Sequence, residues 1–418
     1  RRQVQPFHGR DLGLLPQGRL VSGYADCMDR KKDATLAFCL YRYFPHGGLQ
    51  RDMLRIALAC QQRGYRIAVY TTAWEGNVPP GFELHRHRPA GLTNHGRMRR
   101  YHAWVAPELD RHQYACVVGF NKMPGLDVYF AADSCFEQRA RQKSRWFRMT
   151  GRYRLYAGFE KAVFDPTSCT KVLLIAEPQK QAFQQCYGTP DARLHLLPPW
   201  IAPDRKRVED RPQVRQAVRE ALSVAPEDLL LLQVSSGFQT KGLDRTLLAM
   251  ASLPDAWRRR TKLAVAGQNS SRRCHRLAQR LGVADRVVFL GARDDVMELM
   301  AGADLLVHPA RNEAAGVVLI EALVSGLPVI CTGLCGHAGH IRKAQAGVVL
   351  AEPFRQIELN HALLDMLAKD RLAFCSAGAL ACAGDMNVYD MPERAADIID
   401  SAAQPGRQGW TCGRVCDK

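Results

Sequence analysis

Short apolar runs alternate with helical patterns along this chain, once before a proline-rich stretch and once after it, and this repetition limits its possible folds more than any other feature. Residues 34–41 read ATLAFCLY; the turn-forming Phe44, Pro45, His46, Gly47 and Gly48 follow. A helical pattern then turns Leu49, Met53, Ile56, Ala57 and Cys60 inward until Gly64 ends it. Further strands are expected at 65–71, 115–119 and 171–175. A second series begins at Leu229 with LLLLQVSS and continues through 263–267, 287–291, 304–309 and 328–332. Parallel strands need crossover connections, usually helices, so the alternation predicts an α/β architecture of doubly wound parallel sheets. A chain of 418 residues exceeds one ordinary domain, and LPPWIAP at 197–203 is the natural hinge between two. A cleft between the halves is then the default binding site.

Composition narrows the partners. Lys and Arg outnumber Asp and Glu by 58 to 41, which points to an anionic partner: nucleic acid, a phosphorylated sugar or a membrane surface. The 14 cysteines contain no CxxC pair, which favours reduced thiols over a secreted disulfide framework. The longest apolar region, 314–336, is interrupted by Glu321 and by Gly326, Leu327 and Pro328, so it reads as a short helix and a strand, not a bilayer span. Residues 1–33 hold no apolar stretch long enough for a signal-peptide core and read as a polar extension.

The most informative segment is HPARNEAAGVVLIEALVSGLPV at 308–329. A strand ends at His308, a loop carries Glu313, and Gly316 opens a helix whose first N–H groups are unpaired and carry partial positive charge. A diphosphate fits such a helix start. Glu321, eight residues after Glu313, adds a second carboxylate about two turns on, and two acceptors flanking an anion cradle suit a nucleotide sugar. Upstream, Lys241 follows a strand in SSGFQTKG and is a candidate phosphate partner, as are Arg205 beside the hinge and Arg293 after the strand at 287–291.

The Glu-x7-Glu spacing and the Gly-x-Pro-Val continuation at 326–329 resemble the signature of glycosyltransferase family 4. LAFCLYRYFPHGGLQRD, VYTTAWEG, TNHGR, VVGFNKMPGLDVYFAAD, LLPPWIAPDRK and HPARNEAAGVVLIEA further resemble the lipopolysaccharide glucosyltransferase I family over residues 34–400. That resemblance implies a GT-B fold of two Rossmann-like domains and retaining transfer of α-glucose from UDP-glucose to an inner-core heptose through an α-1,3 linkage. It implies no metal or other cofactor, and the chain has no Asp-x-Asp. It implies an acceptor- and membrane-facing domain at 34–198, a nucleotide-sugar domain at 199–385, and a C-terminal helix at 386–400 crossing back to the first domain. Residues 401–418 are expected to be a disordered tail.

By the same resemblance, Gly47 and Gly48 let a loop approach the donor, Asp52 sits near the reacting sugar, and Arg205 and Lys241 bind the diphosphate. Gly267 and Arg293 line the nucleotide pocket, Glu313 holds sugar hydroxyls, and Glu321 grips the ribose. Ala315, Gly316 and Val317 offer backbone amides beside Ala314. Asp52, Glu313 and Lys241 are thus the catalytic candidates. Thr240 stands where the family commonly has Arg, and Trp200 where it has Gly. Residues 137–161 carry eight Lys or Arg against two Glu, interleaved with aromatics. Such a segment suits an anionic bilayer interface, and the resemblance implies that this is the cytoplasmic face of the inner membrane. Lys122, Arg145, Trp146, Phe147, Arg148, Arg152, Tyr153 and Arg154 are its membrane and acceptor candidates.

Other readings carry less. Cys331, Cys335, His337 and His340 are too compact for the two separated ligand pairs of a structural zinc site, and His85 and His87 read as surface residues on a strand. No recognised nucleic-acid fold accompanies the charges, so nucleic acid is not expected as a partner. Another UDP-hexose or UDP-N-acetylhexosamine donor, or a non-catalytic nucleotide-sugar or membrane-binding protein, remains the alternative.

Overall fold

The computed structural model describes residues 34–404 except 46, 236 and 268–271, so the expectations for 1–33 and for 405–418 lie outside the described residues. The first sheet has seven parallel strands: β1 (Thr35–Cys39), β2 (Arg66–Thr71), β3 (Phe82–Arg86), β4 (Cys116–Gly119), β5 (Val128–Ala131), β6 (Lys171–Leu174) and β7 (Leu194–Leu196). Their spatial order is β3-β2-β1-β4-β5-β6-β7. The second sheet has six: β8 (Leu229–Val234), β9 (Thr261–Ala266), β10 (Val287–Gly291), β11 (Leu305–His308), β12 (Val329–Thr332) and β13 (Gly347–Leu350), in the order β10-β9-β8-β11-β12-β13. These are the two doubly wound sheets expected of a GT-B fold. Each reverses direction between its first strand and a later one, at β1/β4 and at β8/β11, and ligands of such sheets sit at the carboxyl ends of the strands there.

Strands β1, β4 and β8 are mostly apolar because helices cover both of their faces, and Leu36, Phe38, Val118, Leu231 and Leu232 are wholly buried. The helix Gly48–Gln62 buries Met53, Ile56, Ala57 and Cys60 as its periodicity predicts, with Gln50 buried at its start. Leu49 is only partly buried at the edge of this core.

The chain passes between the two cores at 197–201. Trp200 packs in the first core and Ile201 in the second. The Ile201 N–H donates to the Val388 carbonyl at 3.0 Å, tying this crossing to the return crossing. The last helix, Met391–Ala402, then lies on Gly48–Gln62 and places Met391, Ala395, Ala396 and Ile399 in the first core. Met391 and Ile399 each contribute about 2 kcal/mol by burial, more than the exposed ion pairs of Arg63 with Glu393 and Asp397, which are worth about 1 kcal/mol or less. The helix runs two residues into the segment expected as a tail: Ser401 accepts from the Lys171 ammonium at 2.9 Å through its hydroxyl. Ten described cysteines are free thiols, but Cys169, in an exposed turn, is disulfide-bonded, which corrects the expectation of reduced thiols throughout. Among the described residues no helix is long and apolar enough to cross a membrane.

Candidate functional site

The rim of the second sheet is assembled from loops that close on one another. Gly242 precedes the helix Leu243–Ala251 with φ +73°, and a Cβ there would lie 2.1 Å from the Pro309 carbonyl oxygen, so only glycine lets the loops after β8 and β11 touch. The Arg311 N–H donates to the Thr240 carbonyl at 2.8 Å, and its guanidinium is held bidentately by Asp244 at 2.7 and 2.8 Å. Thr240 therefore leaves no cation of its own here, and the neighbouring arginine is already paired. At the end of β9, a Cβ on Gly267 would lie 1.8 Å from the Ser235 carbonyl oxygen, and its N–H donates to the Gly291 carbonyl at 2.7 Å. Gly267 joins the β8, β9 and β10 ends.

Within this rim the structure brings Lys241 and Glu313 together across 72 residues: the ammonium donates to Oε2 at 2.5 Å and to the Asn312 carbonyl at 3.3 Å. His308, 1 % exposed at the end of β11, meets the same oxygen through Nε2 at 3.2 Å. An ionised carboxylate only accepts, so Nε2 carries the proton, and the buried Nδ1 has no partner among the described residues. Burial alone would raise the Glu313 pKa, but the His308 hydrogen bond and the Lys241 charge outweigh it and pull it down to about 2. Glu313 is thus a fixed, fully ionised acceptor at neutral pH. Sequence reasoning used His308 only as the end of a strand; its place five residues before Glu313, at a strand terminus, was the available signal.

Gly316, at φ +82°, turns the chain into the helix Val317–Ser325, where Val317 is 39 % exposed, so the helix start opens outward beside Glu313. The loop behind it is fixed from the other side. Ala315 accepts from the His337 N–H at 2.8 Å, and a Cβ on Gly336 would lie 2.2 Å from the Ala314 carbonyl oxygen. Gly336 also faces Ala176 of the first domain, so the two domains meet here. A cavity of about 830 Å³ opens between them at this point, lined by Pro198, Pro199, His337, His340 and Arg394 among others; neither Lys241 nor Glu313 lines it, and it marks the hinge end of the cleft. Burial, with His340 adding to it, depresses the His337 pKa to about 3 against the nearby Glu313 charge. Cys331 and Cys335 are buried thiols on and after β12.

Glu321 lies nearer the hinge. Its carboxylate is 3.9 Å from the Arg205 guanidinium, and burial raises its pKa despite the charges of Arg205 and Arg51. Arg51 comes from the first domain and was not singled out in the sequence. Beside it, Asp52 accepts from the Trp200 indole N–H at 3.1 Å, while the Arg55 guanidinium stands 5.0 Å from the Trp200 ring. Burial pushes the Asp52 pKa up to about 6 even though Arg51, Arg55 and the indole all favour its ionised form. Trp200 therefore packs against the first domain and fixes Asp52. Gly47 is buried against Gln50 and Phe44, and Gly48 has open space where a side chain would be. Arg293 is drawn into an exposed ion pair with Asp295 two residues on.

The basic aromatic segment does not form one continuous helix. It folds as Phe136–Arg141, a 3-10 turn Arg145–Met149 and a helix Gly151–Phe164, the last begun by Thr150, whose hydroxyl accepts from the Tyr153 N–H at 3.1 Å. The break sorts its aromatics. Trp146 is 76 % and Met149 64 % exposed, whereas Phe147 packs against Phe136 and Tyr153. Arg145, Arg148, Arg152 and Arg154 are exposed; Arg148 lies 3.6 Å from Glu137 and Arg154 donates to the Met149 carbonyl at 3.0 Å. Lys122 stands apart from this surface. It forms a buried ion pair with Glu160, whose carboxylate also accepts from the Phe136 and Glu137 N–H groups at 2.8 Å and from the Tyr187 hydroxyl at 2.7 Å. His85, on β3, is half-buried, stacking on Tyr70 at 4.6 Å and pairing with exposed Glu83 at 3.0 Å, while His87 just beyond the strand is exposed as expected.

Two facing parallel sheets with a lysine–glutamate pair and an open helix start at the rim of one of them make this a glycosyl transferase of GT-B architecture. Residues 214–374 match the family profile of glycosyl transferases group 1. The lipopolysaccharide glucosyltransferase WaaG of Escherichia coli (strain K12) is 48 % identical over 366 residues, 87 % of this chain and 98 % of that protein. A crystal structure of WaaG, described as a glycosyltransferase involved in lipopolysaccharide biosynthesis, superposes with a TM-score of 0.80 over 87 % of this chain and 99 % of that one. Anabaena HepE, solved with UDP and glucose, shares the fold at 20 % identity, with a TM-score of 0.67 over 88 % of this chain and all of its own. The chain belongs to the WaaG family of lipopolysaccharide glucosyltransferases.

Proposed function

We propose that this protein moves α-glucose from UDP-glucose to an inner-core heptose of lipopolysaccharide, forming an α-1,3 linkage with retention of configuration. It does so without a metal, at the cytoplasmic face of the inner membrane. The observation that carries this reading is the Glu313 carboxylate held between Lys241 and His308 immediately before the Gly316 turn. The Lys241 ammonium, the Arg205 guanidinium and the N–H groups at the start of the helix Val317–Ser325 supply preorganised positive charge for a departing diphosphate, the kind of stabilisation that dominates such chemistry. Glu313, an acceptor at every physiological pH, suits sugar hydroxyls, and Glu321 beside Arg205 suits the ribose.

In this reading the bond from glucose C1 to the β-phosphate oxygen breaks, and the acceptor oxygen bonds to C1 from the same face. The acceptor's proton passes to the departing phosphate oxygen. Asp127 is unsuited as a covalent nucleophile, because it accepts from the Val117 N–H at 2.9 Å at the amino end of β5, away from the strand ends that face the cleft. Asp52 is engaged by Trp200. Exposed Trp146, Met149 and the arginines around them support contact with an anionic bilayer, each basic residue adding about 1 kcal/mol near the surface.

The test is UDP release on heptosylated, hexose-free lipopolysaccharide across a panel of UDP-sugars with EDTA present. Turnover with UDP-glucose, reduced about 10²- to 10³-fold in Glu313→Ala, is expected. Turnover with a different UDP-sugar would reassign the donor. UDP binding without turnover on any donor would point to a non-catalytic binder, and a glucosyl adduct on Asp52 seen by mass spectrometry would overturn the same-face mechanism.

A further inference from the structure

The reversal point of the first sheet carries a second cavity, of about 440 Å³, separate from the hinge cavity and from the Lys241–Glu313 rim. Asn121 and Lys122 reach it from the end of β4 and Asp133 from beyond β5, while Arg139 projects from Phe136–Arg141, and Arg152 and Tyr156 from Gly151–Phe164. Its charges do not cancel. Lys122 is consumed by Glu160, whereas Arg139 and Arg152 have no carboxylate partner among the described residues and Asp133 alone opposes them. One positive charge is left over, carried by two forked guanidinium groups that both line one half-open cavity. The Asn121 carbonyl oxygen is taken by the Tyr41 N–H at 2.7 Å, which leaves its amide N–H groups as donors.

Two guanidinium forks match the oxygens of a phosphate better than any neutral group, and a lone carboxylate beside them accepts from sugar hydroxyls. Trp146 and Met149 do not line this space, so its chemistry is distinct from that of the exposed apolar surface. We propose that this cavity holds a phosphate carried by the acceptor saccharide, with Arg139 and Arg152 on the phosphate and Asp133 on a neighbouring hydroxyl. The assignment rests on the glycosyl-transfer reading above and names the feature of the acceptor that the first domain recognises.

The experiment compares wild type, Arg139→Gln, Arg152→Gln and the double variant on detergent-dispersed heptosylated lipopolysaccharide with its phosphates intact and after hydrofluoric acid has removed them. Loss of a contact made equally in the ground and transition states raises KM and leaves kcat alone. Each single variant should therefore raise KM for the intact acceptor about tenfold with kcat and donor KM unchanged, and the double variant should no longer distinguish the two acceptors. Variants that keep the wild-type preference for the phosphorylated acceptor would overturn the proposal. Calorimetry with lipid-free phosphorylated and dephosphorylated core oligosaccharide reads the same preference as binding, so a wild type that binds but does not turn over defeats the transfer reading and still decides this one. Flotation with phosphatidylglycerol vesicles separates the other source of phosphate: variants that lose vesicle binding while keeping their KM in detergent would assign the two arginines to lipid headgroups instead.

Discussion

The carboxyl-end rims of the two sheets are built on opposite principles. Around the second sheet, backbone approaches backbone at Gly242, Gly267 and Gly336, and the charged groups satisfy one another, Lys241 and His308 on Glu313 and Arg311 on Asp244. Around the first sheet, long exposed side chains such as Arg139 and Arg152 border an open cavity, and the half-buried Asp52 has too little compensation to keep an ordinary pKa. A rim of locked backbone suits one invariant group, the diphosphate of a nucleotide sugar. Exposed, long charged side chains suit a larger and more varied acceptor, because such chains adapt at the cost of rotamer entropy.

The largest effect expected from this contrast is at Gly242. Gly242→Ala combines a left-handed backbone with a Cβ 2.1 Å from a carbonyl oxygen that cannot swing away, and should cost about 4 kcal/mol of second-domain stability, read as a lower melting temperature. Gly48→Ala, where no atom lies within 4 Å, is the matching control on the first rim and should fold normally. Equal losses at both positions would break the comparison.

The two half-buried carboxylates sharpen it further. Glu313 is held at about 2, below its ordinary 4.5, so its stabilisation is complete above pH 4.5 and disappears as pH falls through 2. In urea unfolding, wild type should lose about 3 kcal/mol across that window relative to Glu313→Gln. Asp52 is shifted the other way, from 3.8 to about 6, so its contribution is fully present below pH 3.8 and lost as pH rises through 6. Asp52→Asn should therefore gain about 2 kcal/mol on wild type between pH 4 and 7. Difference curves that slope the same way for both variants would show that the two rims do not differ electrostatically.

Much of the fold was legible in the residues. Strands β1, β4, β8, β11 and β12 announce themselves because a strand covered on both faces is predominantly apolar, and Gly64 and Gly326 mark helix ends by residue type alone. The short β7 and the half-buried β3 and β13 carry no such run, and β5 is hidden inside a longer mixed segment; pairing with a neighbour made each of them a strand. In the site, the Glu313–Gly316–Glu321 spacing is local and was readable, since a strand, a turn and one helix suffice to place it.

The partners of those residues were not readable, because they come from distant parts of the chain. Asp52 meets Trp200 across 148 residues, and Glu321 feels Arg51 from the other domain. Lys122 looks in sequence like a surface charge, yet tertiary packing spends it on Glu160 and leaves Arg139 and Arg152 as the uncompensated pair. The sequence by itself determined the alternation of elements, the glycines where chains must touch and the local spacing of the carboxylates, all set by short-range sterics and periodicity. Only the tertiary structure decided which charges are neutralised and which pKa values move, because burial and Coulomb energies depend on neighbours in space rather than along the chain.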